Sequence, residues 1–294
     1  MAGSNNITRA AFWMIGAIVS FSSMAVAGRE LGGQLDTFEI MMYRSVIGFV
    51  IVSALISVTG HWQTVNGARL RNHLGRNLAH FIGQNLWFFA VTAIPLAQLF
   101  ALEFTSPLWV IILAPFFLGE PLTRIKVLAV ALGFIGILIV ARPSPETLTI
   151  GTIAAGTSAI FFAATTIITK RLTRTDSVAC ILFWLTLTQA IMGLVTAGFD
   201  GDIAPLDAQT TPLILVIAIA GLTAHFSITN ALAIAPASVV IPIDFARLPA
   251  IAVIGMLYYN EPLDIYVLIG ALIIFGGNYL NISGESRKIR VADK

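Results

Sequence analysis

"IPLAQLFALEF", residues 94–104, recurs 141 positions later as "APASVVIPIDF", residues 235–245. At this offset Pro95 aligns with Pro236 and Glu103 aligns with Asp244. The same offset aligns "LGEPL", residues 118–122, with "YNEPL", residues 259–263. A constant offset over this distance indicates that the chain contains two copies of one structural unit, each about 140 residues long.

The composition identifies the solvent around both copies as lipid. Hydrophobic residues make up 57% of the chain, charged residues only 11%, and the mean hydropathy is +0.88. Soluble domains carry about 25% charged residues, and an apolar segment of about 20 residues crosses a bilayer as a helix. We therefore predict an all-α polytopic membrane protein with ten transmembrane helices, at approximately residues 10–29, 37–58, 75–93, 96–118, 122–141, 149–169, 177–199, 211–233, 237–259 and 263–283.

Ten spans divide into two repeats of five, residues 1–148 and 149–294. Because five is an odd number, the second copy enters the membrane from the side opposite to the first. Inverted repeats of this kind are typical of secondary transporters, which bind a small solute near the midplane between the halves. The sequence thus predicts a carrier that moves a small-molecule solute across the bilayer by alternating access.

The distribution of basic residues predicts the orientation. Lys and Arg concentrate in the segments that share a side with the N-terminus, whereas the opposite segments hold only Arg29 and Arg142. Basic residues near span ends stay in the cytoplasm, so both termini are expected on the cytoplasmic side of the membrane. The alternative, a cleaved signal peptide within residues 9–28, is disfavoured because the second copy retains the corresponding span.

The residues also resemble a known family. The paired "GEPL" and "NEPL" motifs, the ten-span plan and "FEIMMYR" at residues 38–44 are similar to the EamA-type branch of the drug/metabolite transporter superfamily. The resemblance covers nearly the whole chain as two EamA-like repeats. It implies an inner-membrane metabolite carrier, and the family includes amino-acid exporters and importers of riboflavin or S-adenosylmethionine.

Four charged residues lie inside the predicted spans. Arg44 and Glu103 lie at a similar depth from the outside, so an ion pair between them is expected, and Arg247 follows Asp244 by three residues and is its expected partner. An uncompensated charge near the bilayer centre costs at least about 2.5–3.5 kcal/mol. These residues either lock helices together, or contact the solute and carry coupling protons on Glu103 and Asp244.

Two histidines, His80 and His225, lie at a depth similar to that of Asp244. One interpretation is that neutral rings hydrogen-bond to polar groups of neighbouring helices. The other is that they take part in proton coupling, because the histidine pKa lies near physiological pH.

One face of the third span mixes amides and rings, with Gln84, Asn85 and Phe88 at helical spacing. Together with Phe104 and Trp184 it would favour a flat solute held by stacking and hydrogen bonds. Packing alone also explains such a face, since aromatic side chains bury large apolar areas in any bundle. If the face lines a cavity, the leading cargo is a vitamin or aromatic metabolite such as riboflavin.

Prolines interrupt the two spans that carry the acids. Pro107 and Pro115 lie in the fourth span, and Pro242 and Pro249 lie in the ninth. Proline removes one backbone hydrogen bond, and such breaks are tolerated where a cavity or a neighbouring helix satisfies the freed carbonyl. These four residues are the candidate hinges.

Other function classes find little support in the sequence. The chain contains no phosphate-binding loop and no GxSxG or HExxH motif, so neither an ATP-driven pump nor an enzyme is expected. We expect no cofactor, no metal and no nucleic-acid partner, while the oligomeric state stays open. The alternatives are an amino-acid or amine exporter and, in a different class, a non-transporting membrane receptor or accessory subunit.

Overall fold

The structure is a computed structural model. It describes residues 2–118, 123–142, 144, 148–199, 201–235, 240, 243–244, 247–262 and 264–292, with side chains from residue 8 to 281 except at 114 and 118. Within these ranges the protein is helical throughout, with no β-strand beyond one isolated bridge between Gly32 and Leu35. The predicted all-α class is confirmed.

Eleven α-helices and one 3₁₀ turn make up the described fold. The helices are α1 (Ala2–Glu30), α2 (Thr37–Thr59), α3 (Leu70–Ala93), α4 (Leu96–Glu103), α5 (Ser106–Leu118), α6 (Arg124–Ala141), α7 (Ile150–Leu172), α8 (Val178–Ala197), α9 (Thr210–Ile234), α10 (Arg247–Tyr259) and α11 (Ile265–Ala292). The 3₁₀ turn covers His61–Thr64.

Seven described helical segments are long and apolar enough to cross a membrane, and Arg247–Tyr259 and Ile265–Asn281 are shorter apolar helices. The segment Leu70–Ala93 is not among them because it carries many polar residues, which are buried inside the bundle. The multi-pass membrane class is therefore confirmed, while the count of ten spans stays a prediction.

The predicted fourth span, residues 96–118, is two helices rather than one. Helix α4 ends at Glu103 and α5 begins at Ser106, with Phe104 and Thr105 between them. Pro107 lacks the N–H that would bond the carbonyl of Glu103 in a continuous helix, which explains why the break falls here. Of the predicted ninth span, α10 and single helical residues at 240, 243 and 244 are described.

Several helix ends follow directly from local sequence. Asp36 and Glu39 form a reciprocal capping box at the start of α2, and Gly60 closes its end with a φ of 69°. The hydroxyls of Thr149 and Ser177 cap α7 and α8 by accepting from backbone N–H groups of the first turn. These caps fix where the interior helices enter the bundle.

The main helix contacts pair α1 with α9, α3 with α7, α2 with α8, and α6 with α11. An offset of 141 residues relates α1 to α7, α2 to α8, α3 to α9 and α6 to α11. When each helix is replaced by its counterpart, the α1–α9 pair becomes α7–α3, and the α2–α8 and α6–α11 pairs map onto themselves. The set of four pairs is therefore unchanged. Both halves therefore contribute to every main contact, and neither half packs as a separate body.

Close contact between α6 and α11 depends on small residues. A Cβ added at Gly136 would lie 2.7 Å from the carbonyl oxygen of Gly270, and one added at Gly270 would lie 2.7 Å from the oxygen of Gly136. A Cβ at Gly277 would likewise lie 2.8 Å from the oxygen of Ala129. The absence of side chains here lets the two backbones touch, as in other membrane helix pairs.

Candidate functional site

Glu103 lies at the break between α4 and α5, where it meets a second acid across one guanidinium. The Nη2 of Arg247 donates to Glu103 Oε1 at 2.8 Å and to Asp244 Oδ2 at 2.7 Å. The indole Nε1 of Trp87 donates to the other oxygen of Glu103 at 2.7 Å. The Arg247 side chain is 2% exposed, while Glu103 and Asp244 are 13% and 15% exposed. With both acids ionised, this acid–arginine–acid cluster carries one net negative charge.

Three aromatic rings surround the guanidinium of Arg247. Its central carbon lies 4.7 Å from the ring centroid of Phe100, 4.9 Å from that of Phe21 and 5.3 Å from that of Phe104. Cation–π attraction strengthens when the cation is desolvated, so the rings and the carboxylates together hold the cation in place. Arg247 is therefore the fixed member of the cluster, and the two carboxylates are the members closer to water.

The cluster borders a cavity of about 110 Å³. Its wall is drawn from α1, α3, α4, α5, α7, α9 and α10 and combines rings, threonines and charged groups. The rings are those of Phe21, Trp87, Phe104 and Phe162, and the threonines are Thr165, Thr166 and Thr169. A wall of rings with a few convergent polar groups is the usual lining of a small-molecule site.

The cavity wall contains polar atoms that have no hydrogen-bond partner within the described residues. They are Gln84 Nε2, Asp244 Oδ1 and Arg247 Nε, and all three atoms are buried. Buried polar groups in native proteins are nearly always satisfied, so these two donors and one acceptor would gain partners if the wall opened to water or to a solute.

The two predicted histidines meet inside the bundle. His80 Nε2 and His225 Nε2 are 2.8 Å apart, and the amide nitrogen of Gln189 lies 2.5 Å from His80 Nδ1. If that amide donates to Nδ1, His80 carries its proton on Nε2 and donates it to His225. Both rings border the cavity, so the pair is one hydrogen-bonded unit that joins α3, α8 and α9.

Arg44 does not pair with Glu103, which corrects the expected ion pair. Its Nη1 lies 3.8 Å from the sulfur atoms of Met24 and Met41, and its guanidinium lies 5.9 Å from the ring centroid of Phe88. Helix α2, which carries Arg44, packs on α8 and α9, whereas α4, which carries Glu103, packs on α10 and α7. Depth along a span therefore could not specify which side of the helix each residue occupies.

The predicted aromatic and amide face is only partly in the cavity. Gln84 and Phe104 line it, whereas Asn85 is buried elsewhere and bonds the carbonyl of Phe81 at 2.8 Å. Phe88 is buried against Arg44, and Trp184 donates to the carbonyl of Asn66 at 2.8 Å, away from the cavity. Asp244 and Arg247 pair as expected.

Helix α3 faces the cavity with a stripe of Arg76, His80, Gln84 and Trp87, of which sequence reasoning predicted His80 and Gln84 and missed Arg76 and Trp87. Their spacing of four, four and three residues places them on one face, so the stripe is visible in the sequence. Arg76 is 2% exposed and bonds Thr169 Oγ1 and Asn77 Oδ1, each at 3.0 Å.

The proline positions are unequal. Pro107 lies beside the break and lines the cavity, Pro115 lies inside α5, and Pro249 lies in the first turn of α10. Pro242 lies outside the described residues. Among the candidate hinges that the structure describes, Pro107 is the one that lies at a helix break next to an acid.

Two basic residues aligned by the 141-residue offset make matching contacts. Arg29 at the end of α1 donates to the carbonyls of Val91 and Ile94 at the end of α3. Lys170 near the end of α7 donates to the carbonyls of Leu232 and Ala235 at the end of α9, at 2.7 and 3.4 Å. Each side chain thus caps the unsatisfied carbonyls at a helix C-terminus.

Arg29 also forms an ion pair with Glu261, which follows α10. The other oxygen of Glu261 accepts from the backbone N–H of Leu96 at 2.8 Å, and Tyr259 donates to Glu30 at 2.8 Å. These contacts join α1, α4 and the end of α10 at one end of the bundle. The cavity extends the other way, toward the start of α3 and the ends of α7 and α9.

The chain is similar to known transporters over nearly its whole length. A model described as the EamA-like transporter family matches the chain twice, at residues 8–142 and 149–283. A protein named S-adenosylmethionine uptake transporter from Rickettsia conorii is 26% identical over 94% of this chain and 92% of its own length. A protein named riboflavin transporter from Rhizobium johnstonii is 29% identical over 95% of this chain and 93% of its own.

A solved structure supports the likeness in fold. It superposes with a TM-score of 0.66 over 93% of this chain and 96% of its own, at 16% sequence identity. At that identity the match concerns the fold alone.

Proposed function

Because this chain belongs to the EamA-like transporter family, we propose that it is a secondary carrier that moves a small organic metabolite across the cytoplasmic membrane by alternating access. The observation that carries the proposal is the acid–arginine–acid cluster of Glu103, Asp244 and Arg247. It lies at a broken helix and borders a cavity shared by both halves of the chain. Ionisable groups inside membrane proteins usually mark solute or ion pathways.

Ten spans in two inverted repeats, residues 1–148 and 149–294, are part of this proposal. Three observations support it: the family model matches twice, the helix pairs are unchanged when counterpart helices are exchanged, and Arg29 and Lys170 cap α3 and α9 in matching ways. Alternating access in such proteins is largely the rocking of one repeat against the other around a fixed site.

The structure corresponds to a state closed on the outer side if both termini are cytoplasmic. The end that holds Arg29 and Glu261 is then the outer end, and the cavity extends toward the cytoplasm. The excess of basic residues on the terminal side supports this orientation. Opening to the outside requires that the contacts of Glu261 with Arg29 and Leu96 separate.

A flat, neutral, ring-bearing solute fits the cavity wall best. Four rings offer stacking surfaces, and the unpartnered atoms of Gln84, Asp244 and Arg247 would offer hydrogen bonds once the wall opens around a solute. Both carboxylates already share Arg247, whereas Arg76 bonds only neutral groups among the described residues. With both acids ionised, the charges of Glu103, Asp244, Arg247 and Arg76 sum to zero, so the wall suits a neutral vitamin such as riboflavin better than a sulfonium cation such as S-adenosylmethionine.

Proton coupling fits the same cluster. The two carboxylates share one nitrogen of the Arg247 guanidinium, so the three groups together carry one net negative charge. A single proton neutralises that charge. Solute binding next to Glu103 or Asp244 would then change how strongly the cluster holds that proton. In this proposal the proton is the coupling ion and Glu103 and Asp244 are its carriers, with the His80–His225 pair as a neutral hydrogen-bonded support.

Calorimetric unfolding of the purified protein with riboflavin, S-adenosylmethionine and a panel of amino acids and amines tests the cargo. A ligand at 100 times its Kd stabilises the folded state by about 2.7 kcal/mol. We expect riboflavin to raise the Tm of the wild type and of the control Asp202→Asn, whose acid is exposed outside the cavity, but not that of Glu103→Gln.

Stabilisation by S-adenosylmethionine alone would overturn the cargo assignment. Equal stabilisation of Glu103→Gln by riboflavin would remove Glu103 from the site. Stabilisation by none of the panel would favour a non-transporting receptor or accessory subunit.

A further inference from the structure

A second polar cluster lies outside the cavity, where α3 begins and the loop from α7 to α8 ends. It contains His73 in the first turn of α3, Asp176 in the loop and Cys180 in the first turn of α8. Their ligand atoms all lie within 4.8 Å of one another. The three residues are 1%, 8% and 0% exposed, so a nitrogen, an oxygen and a sulfur ligand converge out of contact with bulk water.

Several atoms of the cluster have no hydrogen-bond partner among the described residues. They are both ring nitrogens of His73 and Oδ2 of Asp176. The ion-pair contacts of Asp176 are long: His73 Nε2 lies 3.6 Å from Oδ2, and Arg69 Nη1 donates to Oδ1 at 3.5 Å. A buried carboxylate without a strong partner is costly, and such charges are normally paired or coordinate a metal.

We propose that His73, Asp176 and Cys180 form a binding site for Zn²⁺. Imidazole nitrogen, carboxylate oxygen and thiolate sulfur are the zinc ligands of proteins, at about 2.0–2.3 Å from the ion. Such bonds put tetrahedral ligands about 3.6 Å apart. The observed ligand atoms all lie within 4.8 Å of one another, so small side-chain rotations bring the three groups into the coordination sphere.

Charge balance favours the bound ion. A thiolate and a carboxylate carry two negative charges that Zn²⁺ neutralises, so the occupied site is electrically neutral and can stay buried. Arg69, whose side chain is 41% exposed, can turn toward solvent when the cation takes its place beside Asp176. Three protein ligands leave one position of the tetrahedron for a water molecule.

The site would tie the two halves of the chain together. His73 belongs to the first half, and Asp176 and Cys180 belong to the second. The positions related to these residues by the 141-residue offset are Ile214, Leu35 and Glu39, so the cluster is not repeated in the other half. Zinc would therefore fasten only the end of the bundle where α3 begins and α7 finishes, the end toward which the cavity extends.

The test uses tag-free, full-length protein that has been treated with a chelator in detergent, with its single cysteine reduced. Co²⁺ replaces Zn²⁺ as a probe because thiolate ligation gives a charge-transfer absorption band. We expect saturating Co²⁺ to produce that band in the wild type and in His61→Gln, a control that removes an exposed histidine outside the cluster. Added Zn²⁺ should abolish the band and remain bound at one ion per chain by elemental analysis.

Cys180→Ser should lose the band. Asp176→Asn should weaken Zn²⁺ binding by at least about 10-fold, because losing a residue that only hydrogen-bonds to a metal ligand already costs that much. If Cys180→Ser does not fold, the wild-type spectrum decides by itself, since it needs no variant. A wild type that shows no band at saturating Co²⁺ overturns the site. So does a zinc content that falls to background after gel filtration, or equal binding by wild type and Asp176→Asn.

Discussion

Arg247 is the residue on which the candidate site depends. It holds two carboxylates on one nitrogen and is enclosed by three rings, in a position 2% exposed. The sequence placed Asp244 and Arg247 together because three residues separate them, and that pair was correct. It could not place Glu103 there, because that contact joins residues 144 positions apart and depends on how α4 packs on α10.

Replacing Arg247 tests the cluster through stability. Arg247→Met removes the cation but keeps the apolar bulk, which leaves Glu103 and Asp244 as neighbouring buried acids. Loss of one partner of a buried ion pair costs about 3–5 kcal/mol. We therefore expect a large fall in Tm by calorimetry. Adding Glu103→Gln to Arg247→Met should cost less than the sum of the single changes, because the two residues are coupled. Additive costs would mean that the residues do not interact.

The break between α4 and α5 is the element that brings Glu103 to the cavity. Its position was predictable in part, because proline at 107 marks where a helical hydrogen bond is missing. From sequence alone all four prolines were equal hinge candidates, whereas α5 continues through Pro115 and α10 includes Pro249 in its first turn. A first-turn proline loses no helical bond, so only the surrounding structure distinguishes a hinge from a tolerated proline.

Pro107→Ala tests whether the break is used in transport. The alanine N–H can bond the carbonyl of Glu103 and extend the helix, so we expect unchanged or higher Tm with a slower uptake rate. Pro115→Ala is the matched control, since it restores a bond inside a helix that is already formed. If both variants transport at the wild-type rate, the break is a static feature of the fold. If both are equally slow, the effect is not specific to residue 107.

At the scale of the whole molecule, the helices of the two halves are interleaved. The internal repeat predicted which positions correspond, and the matching caps at Arg29 and Lys170 are consistent with it. Pattern alone could not show that α1 packs on α9 or α3 on α7, because those contacts join opposite halves of the chain. The same limit explains why the ion pair of Arg29 with Glu261 was missed.

Arg29→Gln and Glu261→Gln test closure at the outer end. Each removes one member of a mostly buried ion pair, and we expect both to speed hydrogen–deuterium exchange in the segments around residues 30–36 and 96–100. Arg142→Gln is the control because its pair with Asp264 is more exposed, at 45% and 27%. Exchange that changes only at the opposite end of the bundle would contradict the proposed gate.

The central claim is that a solute crosses the membrane through the cavity beside Glu103. Counterflow in proteoliposomes measures this directly: vesicles loaded with unlabelled riboflavin receive a trace of labelled riboflavin outside. We expect transient accumulation of label in wild type and Asp202→Asn. In Glu103→Gln the initial rate should fall at least about tenfold, the equivalent of one lost hydrogen bond to a charged group. Absence of counterflow in a folded wild type that binds riboflavin, or full counterflow in Glu103→Gln, would contradict the account.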